Sequence, residues 1–156
     1  MEIVEQKQDD AIHNIIKVFL AQMNSAVKIS EIIMTHTEED NELTGDHIIS
    51  GLIYRLMIPM TDEDINDSFN TADEILNGLE DEENSEEEES DESDELEEYE
   101  IPKVSRKLKT NSCECDICKK VRECILKYDT YETYDPLVTR FKDSIKKTCI
   151  KHNIYL

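Results

Sequence analysis

From Ala11 to Thr37 the chain runs without a single Gly or Pro. Apolar residues recur there at Ile12, Ile15, Ile16, Phe19, Met23, Ala26, Val27, Ile33 and Met34, the three-and-four spacing of one helix face. The spacing predicts a helix capped at its start by Asp9 or Asp10. Its 27 residues give a length of about 40 Å. Val18, Leu20, Ile29 and Ile32 widen the apolar face beyond one stripe, so the helix must be covered on more than one side. A chain built around such a helix is expected to be all-α.

After the polar stretch Glu38 to Glu42, Leu43-Thr44-Gly45-Asp46 reads as a short extended piece followed by a cap. A second helix is expected to carry Ile48, Ile49, Leu52, Ile53 and Leu56 on one face and to stop before Pro59. Thr61-Asp62-Glu63-Asp64 is a capping-type start for a third, whose stripe is Ile65, Phe69, Ala72, Ile75, Leu76 and Leu79.

Charge divides the rest. The 156 residues hold 38 Asp and Glu against 17 Lys and Arg, for a net charge of -21. Residues 1–79 carry 16 acids and four bases, residues 80–100 carry 15 acids and no base, and residues 101–156 carry seven acids and 13 bases. Three units are therefore expected: a helical module over 1–79, an acidic then basic disordered linker over 80–110, and a Cys-rich helical hairpin over 111–156. The acidic run has almost nothing to bury and reads as a self-repelling spacer, or as a polyanion for a basic surface. Ser85, Ser90 and Ser93 lie among its acids and resemble sites for an acid-directed kinase.

Several classes are excluded by composition. No apolar run approaches the roughly 20 residues of a membrane span, and Met-Glu-Ile-Val-Glu lacks the layout of a secretory signal. Three Gly and three Pro leave no nucleotide-binding Gly-rich loop and too few turns for a β-sandwich. The expectation is a soluble, intracellular, mostly helical protein.

Four of the five Cys lie between positions 113 and 124. In a chain with no signal, Cys113-Glu114-Cys115-Asp116-Ile117-Cys118 suggests metal or redox chemistry before disulfides. Cys115 and Cys118 start a helix whose stripe is Ile117, Val121, Ile125 and Tyr128. Asp135-Pro136 caps a last helix carrying Leu137, Val138, Phe141, Ile145 and Cys149. Cys149 and His152 share a face of that helix. In an antiparallel hairpin, Cys115, Cys118, Cys149 and His152 would close a tetrahedral zinc site, with Cys113 as the competing fourth ligand. A module this short and poor in large apolar side chains needs such a staple. The alternative makes Cys124 and Cys149 small core residues and leaves the CxCxxC as free thiols, and Cys124 is assigned to the core either way. His47 reads as a cap or loop residue. His13 and His36 stand at opposite ends of the long helix, where they cannot meet.

Tyr128, Tyr131 and Tyr134 sit among acids, which favours packing over a nucleic-acid surface. Lys103, Arg106, Lys107 and Lys109 could contact nucleic acid, fold back on the acidic linker or direct nuclear import. A linker that competes with phosphate would make the chain autoinhibited.

The long helix, the polar loop, and Leu43-Thr44-Gly45-Asp46-His47-Ile48-Ile49 entering a short helix resemble the second half of a histone fold. Leu43, Thr44, His47 and Ile48 occupy the places of that family's apolar-Thr-x-x-His-apolar pattern, over about residues 10–58. The resemblance implies an obligate pair, each long helix buried against a partner's. It departs from the family in two places. Glu2 to Gln6 leave little room for a short first helix, and Glu38, Glu39, Asp40 and Glu42 stand where nucleosomal histones present bases to phosphate, so this surface would repel DNA. The Cys113–Lys119 stretch, Asp135-Pro136 and Lys151-His152 also resemble small uncharacterised proteins of giant DNA viruses, which implies a virion or virus-factory protein.

The acids form solvated runs and the Cys and His residues suit a closed site, so no catalysis is expected. The expected function is a non-catalytic histone-fold-like interaction protein in nuclear or viral chromatin or transcription, pairing with itself or with a basic partner. Ile12, Ile16, Phe19, Met23 and Val27 would carry the pairing, with Leu52 and Ile53 beneath. The alternatives are a zinc-stapled nucleic-acid-binding module regulated by its acidic linker, and an acidic histone-chaperone-like binder.

Overall fold

The Gly- and Pro-free stretch folds as one helix, α1 (Glu2–Thr35), which begins nine residues before Ala11. Asp9 and Asp10 do not cap it but lie within it. Nothing in Glu2 to Asp10 breaks a helix, and Glu2 and Glu5 in the first turn suit the positive end of its dipole. The computed structural model describes residues 2–38, 41–83, 100–101 and 103–156. Among the described residues α1 has no break, so Glu2 to Gln6 form no separate short first helix.

The second helix, α2 (Gly45–Met57), starts on a capping box at Thr44 and His47. The Thr44 N–H donates to His47 Nδ1 at 3.1 Å, and the His47 N–H donates to Thr44 Oγ1 at 3.4 Å. Because Nδ1 accepts, the ring proton sits on Nε2, which faces Thr37 Oγ1 at 3.4 Å. The Thr37 hydroxyl in turn donates to Ile33 O at 2.8 Å. His47 therefore ties the start of α2 to the end of α1. The third helix, α3 (Asp62–Glu83), is opened by reciprocal bonds between Thr61 and Asp64, each 3.2 Å. It extends into the acidic run as far as Glu83; the remainder of that run up to Tyr99 lies outside the described residues.

Small residues set how closely these helices approach. A Cβ on Gly51 would stand 2.4 Å from Ala26 O and 2.2 Å from Ser30 Oγ, so α2 lies against the backbone of α1 there. Ala21 of α1 and Ala72 of α3 are fully buried. Lys17 is drawn to Asp73 at 2.8 Å and lies over the Phe69 ring.

The fourth and fifth helices, α4 (Asp116–Lys127) and α5 (Pro136–Lys151), are joined through a 3-10 turn at Tyr128–Thr130. Asp135 caps α5 with bonds from the N–H groups of Leu137 and Val138, and Pro136 occupies its first turn. Both helices pack on α2. The core is consequently shared, with Ile29, Ile33, Ile49, Ile53 and Leu56 from α1 and α2 joined to Val121, Cys124, Ile125, Tyr128, Ile145 and Cys149. The fold is all-α apart from a two-stranded parallel sheet, β1 (Arg106–Lys107) against β2 (Ile154–Tyr155).

A buried carboxylate locks that sheet to α2. Asp46, 5% exposed, receives both Arg106 guanidinium nitrogens at 2.7 and 2.8 Å and the Lys109 N–H at 2.8 Å. Burial raises the Asp46 carboxyl, but these bonds outweigh it and hold the group below the usual carboxylate range. Arg106, grouped by sequence with a basic cluster for nucleic acid, spends its guanidinium on this contact. Among the described residues no helix is long and apolar enough to cross a membrane.

Candidate metal centre

The segment after β1 leads into the cysteine turn and brings it to the end of α1. Cys115 is the N-cap of α4, with Sγ accepting from the Cys118 N–H at 3.4 Å. Cys113 Sγ accepts from the Cys115 N–H at 3.5 Å. These two N–H···S bonds wrap the turn around its sulfurs and aim three thiols to one side. On that side stands His36, one residue beyond α1 and held by its N–H to Ile32 O at 3.1 Å.

The Sγ atoms of Cys113, Cys115 and Cys118 lie 3.6, 3.3 and 3.5 Å from His36 Nδ1. The four ligand atoms all lie within 4.8 Å of one another. No disulfide joins the cysteines. Cys118 is buried, Cys113 and Cys115 are half-buried and His36 is exposed, so the cluster sits at the rim of the core with one side to solvent. Three thiols and one imidazole suit a soft or borderline metal ion.

An outer layer positions the buried thiol. Asn111 Nδ2 reaches Cys118 Sγ at 3.2 Å and Ile33 O at 3.3 Å. Arg122 holds Asn111 in turn, donating to its Oδ1 at 3.1 Å and its backbone O at 3.0 Å. Asn111 therefore bridges α1 to the cysteine turn beside the cluster, the kind of support that orients ligands.

The thiols differ in acidity. Cys115 is pulled down to about 6, chiefly by the Cys118 N–H, with help from the neighbouring thiols and His36 against the opposing effect of desolvation. Its place at a helix N-terminus adds in the same direction. Cys118 is pushed up to about 11, first by burial and then by its two thiol neighbours, against the Asn111 bond. Negative charge therefore settles on Cys115 before Cys118.

Of the four ligands expected from sequence, the structure brings Cys115 and Cys118 together and places the other two elsewhere. Cys149 is 4% exposed and belongs to the shared apolar core, where burial raises its thiol. His152 is the C-cap of α5, its N–H bonded to Thr148 O at 3.1 Å. The physical reason is that α4 and α5 spend their apolar faces on α2, which turns Cys149 inward while the cysteine turn faces α1. Cys113, the competing ligand, is in the cluster, and Cys124 is core as expected. His36 was missed. It is 77 residues from Cys113, and no local spacing connects the two. The available signal was arithmetic: a CxCxxC supplies three ligands and needs a fourth from elsewhere, with four His in the chain to supply it.

No protein family model, no curated protein and no solved structure matches this chain.

Proposed function

We propose that this chain is a non-catalytic, histone-fold-like interaction protein that pairs with another helical chain, itself or a basic partner, through the outer side of α1. The observation that carries the reading is that Ile12, Ile15, Ile16, Val18, Phe19 and Met23 all face solvent on one helix, Ile12 at 56% and Phe19 at 42% exposure. Scattered exposed apolar residues are ordinary, but a contiguous row along three turns marks an interaction surface. The capped turn from Thr44 to His47 into the short α2 accords with the histone-like resemblance, though α1 carries no separate helix before it.

The metal centre is a structural zinc site. Zn–S bonds of about 2.3 Å and Zn–N bonds of about 2.0–2.1 Å in a tetrahedron set S···N edges of about 3.5–3.6 Å. The observed 3.3 to 3.6 Å accords with those edges. Four protein ligands fill the tetrahedron and leave no open position for substrate, which favours a staple over a catalytic metal. The staple joins the pairing helix to the Cys-bearing segment. A nuclear or virion setting accords with the histone-like and viral resemblances.

Native mass spectrometry of protein purified without chelator tests both parts. The expected species holds two chains, or this chain with a second protein, and one zinc per copy; Phe19→Asp should reduce it to a single zinc-bound chain. A folded, metal-free monomer would overturn the reading.

A further inference from the structure

Beside the exposed row of α1 lie two hollows, of about 380 and 340 Å³, that share Phe19 and Phe141 and so form one groove between α1 and α5, floored by α2. Ile15 and Leu137 line one end, and Met23 and Thr148 the other, so α5 runs alongside α1 in the same direction. The groove is apolar, open along its length and of the kind that accepts one amphipathic helix. Resting on the pairing reading, we infer that its occupant is the N-terminal half of α1 from a second copy of this chain, the two α1 helices lying antiparallel about a two-fold axis near residues 17 and 18.

Two independent features of the chain select this occupant. The first is spacing. Ile12, Ile16, Phe19 and Met23 are separated by four, three and four residues, the same read from either end. An antiparallel copy therefore meets the row in register, Ile12 across from Met23 and Ile16 across from Phe19, which is the self-complementarity a two-fold interface requires. The second is charge. The first turns of α1 carry Glu2, Glu5, Asp9 and Asp10 against Lys7, whereas α5 carries Arg140, Lys142, Lys146, Lys147 and Lys151 against Asp143. In the antiparallel register, Glu5 and Asp9 of one copy pass the C-terminal end of α5 in the other, where Lys147 and Lys151 are exposed. Each copy thus offers an apolar, acidic helix to a groove with an apolar floor and a basic wall. Such complementarity fixes register and orientation.

The test uses the full-length, metal-loaded chain in two variants, Glu5→Lys with Asp9→Lys, and Lys147→Glu with Lys151→Glu. Sedimentation equilibrium is run on each alone and on their equimolar mixture, with circular dichroism to show unchanged helix content. Alone, each variant sets like charges opposite one another, and self-association should weaken by about tenfold or more. Mixed, the two variants should restore association as a heterodimer, because both charge contacts are then opposite in sign. Wild-type dimers whose strength is indifferent to all four changes would overturn the antiparallel register and leave the pairing reading intact. An assembly formed only with a different protein would overturn the second copy as occupant, again leaving that reading. A wild-type chain that stays alone at every concentration, and that also carries no second protein in the native mass spectrum, would overturn both.

Discussion

The two halves of α1 carry similar apolar residues and meet different fates. In the second half, Ala26, Ile29 and Ile33 are buried under α2, Ser30 lies against Gly51, and the helix leads into an imidazole that stands among three thiols. In the first half, Ile12, Ile16 and Phe19 meet the same solvent as the acids around them. Helical periodicity alone does not separate these cases, since it reports that a face is apolar and not what covers it. The difference is set by reach. The short α2 covers only the distal part of a helix 34 residues long, and α3 covers another side.

That contrast can be broken in order of effect. His36→Ala should have the largest consequence, because it opens the tetrahedron at the end of the covered half. Zinc content measured by atomic emission should fall from one per chain to near none, with stability reduced on the order of 4 kcal/mol where zinc is near a thousandfold above its dissociation constant. His152→Ala should leave the metal in place, and its loss there would return the ligand set to the one expected from sequence.

Asp46→Asn comes next. Removing the charge leaves Arg106 against a neutral amide, and a cost of about 2–3 kcal/mol is expected in urea unfolding, reduced from that of a fully buried pair by Arg106's exposure. The pH dependence follows from the same bond. The Asp46 carboxyl is held below its usual range, so its contribution is full above about pH 4 and is lost as pH falls through the folded value. An acid titration of stability should be shallower for Asp46→Asn than for the natural chain.

Gly51→Ala should cost about 1–3 kcal/mol despite alanine's better helix propensity, because the new methyl meets the Ala26 carbonyl of α1 as well as the Ser30 hydroxyl, and a backbone oxygen cannot turn away. Phe19→Asp, in the uncovered half, should change the stability of the single chain by less than about 0.5 kcal/mol while abolishing association. A large loss of monomer stability would show that the exposed row is held within one chain.

Much of this fold was legible because local chemistry dictated it. Thr44 with His47, Thr61 with Asp64, and Asp135 with Pro136 each start a helix where the sequence expects one. The N-terminus of α1 was not, since Asp9 and Asp10 satisfy a capping preference that the upstream helix formers outweigh. The candidate centre was half legible. Cys113, Cys115 and Cys118 are local and announce themselves, whereas His36 is brought in by the packing of α4 on α2, a contact that leaves no trace in residue spacing. Cys149 and His152 misled for the complementary reason. Their spacing suggests a shared helix face, but Cys149 is spent on the core and His152 lies past the end of α5 as its cap.

The distance along the chain between His36 and the cysteines has a further consequence. A metal ion held by both would close a ring of about 77 residues, and the run of acids from Glu80 to Glu100 lies inside it. Cross-linking a loop of that size removes about 4–5 kcal/mol of freedom from the unfolded chain if it behaves as a disulfide does. Because this quantity grows only with the logarithm of ring size, lengthening the acidic run by half its own length would alter it by a small fraction of a kcal/mol. Residues between the two anchors can therefore be added or removed almost without penalty to closing the ring, which leaves the length of the acidic run unconstrained by the fold's own loop entropy.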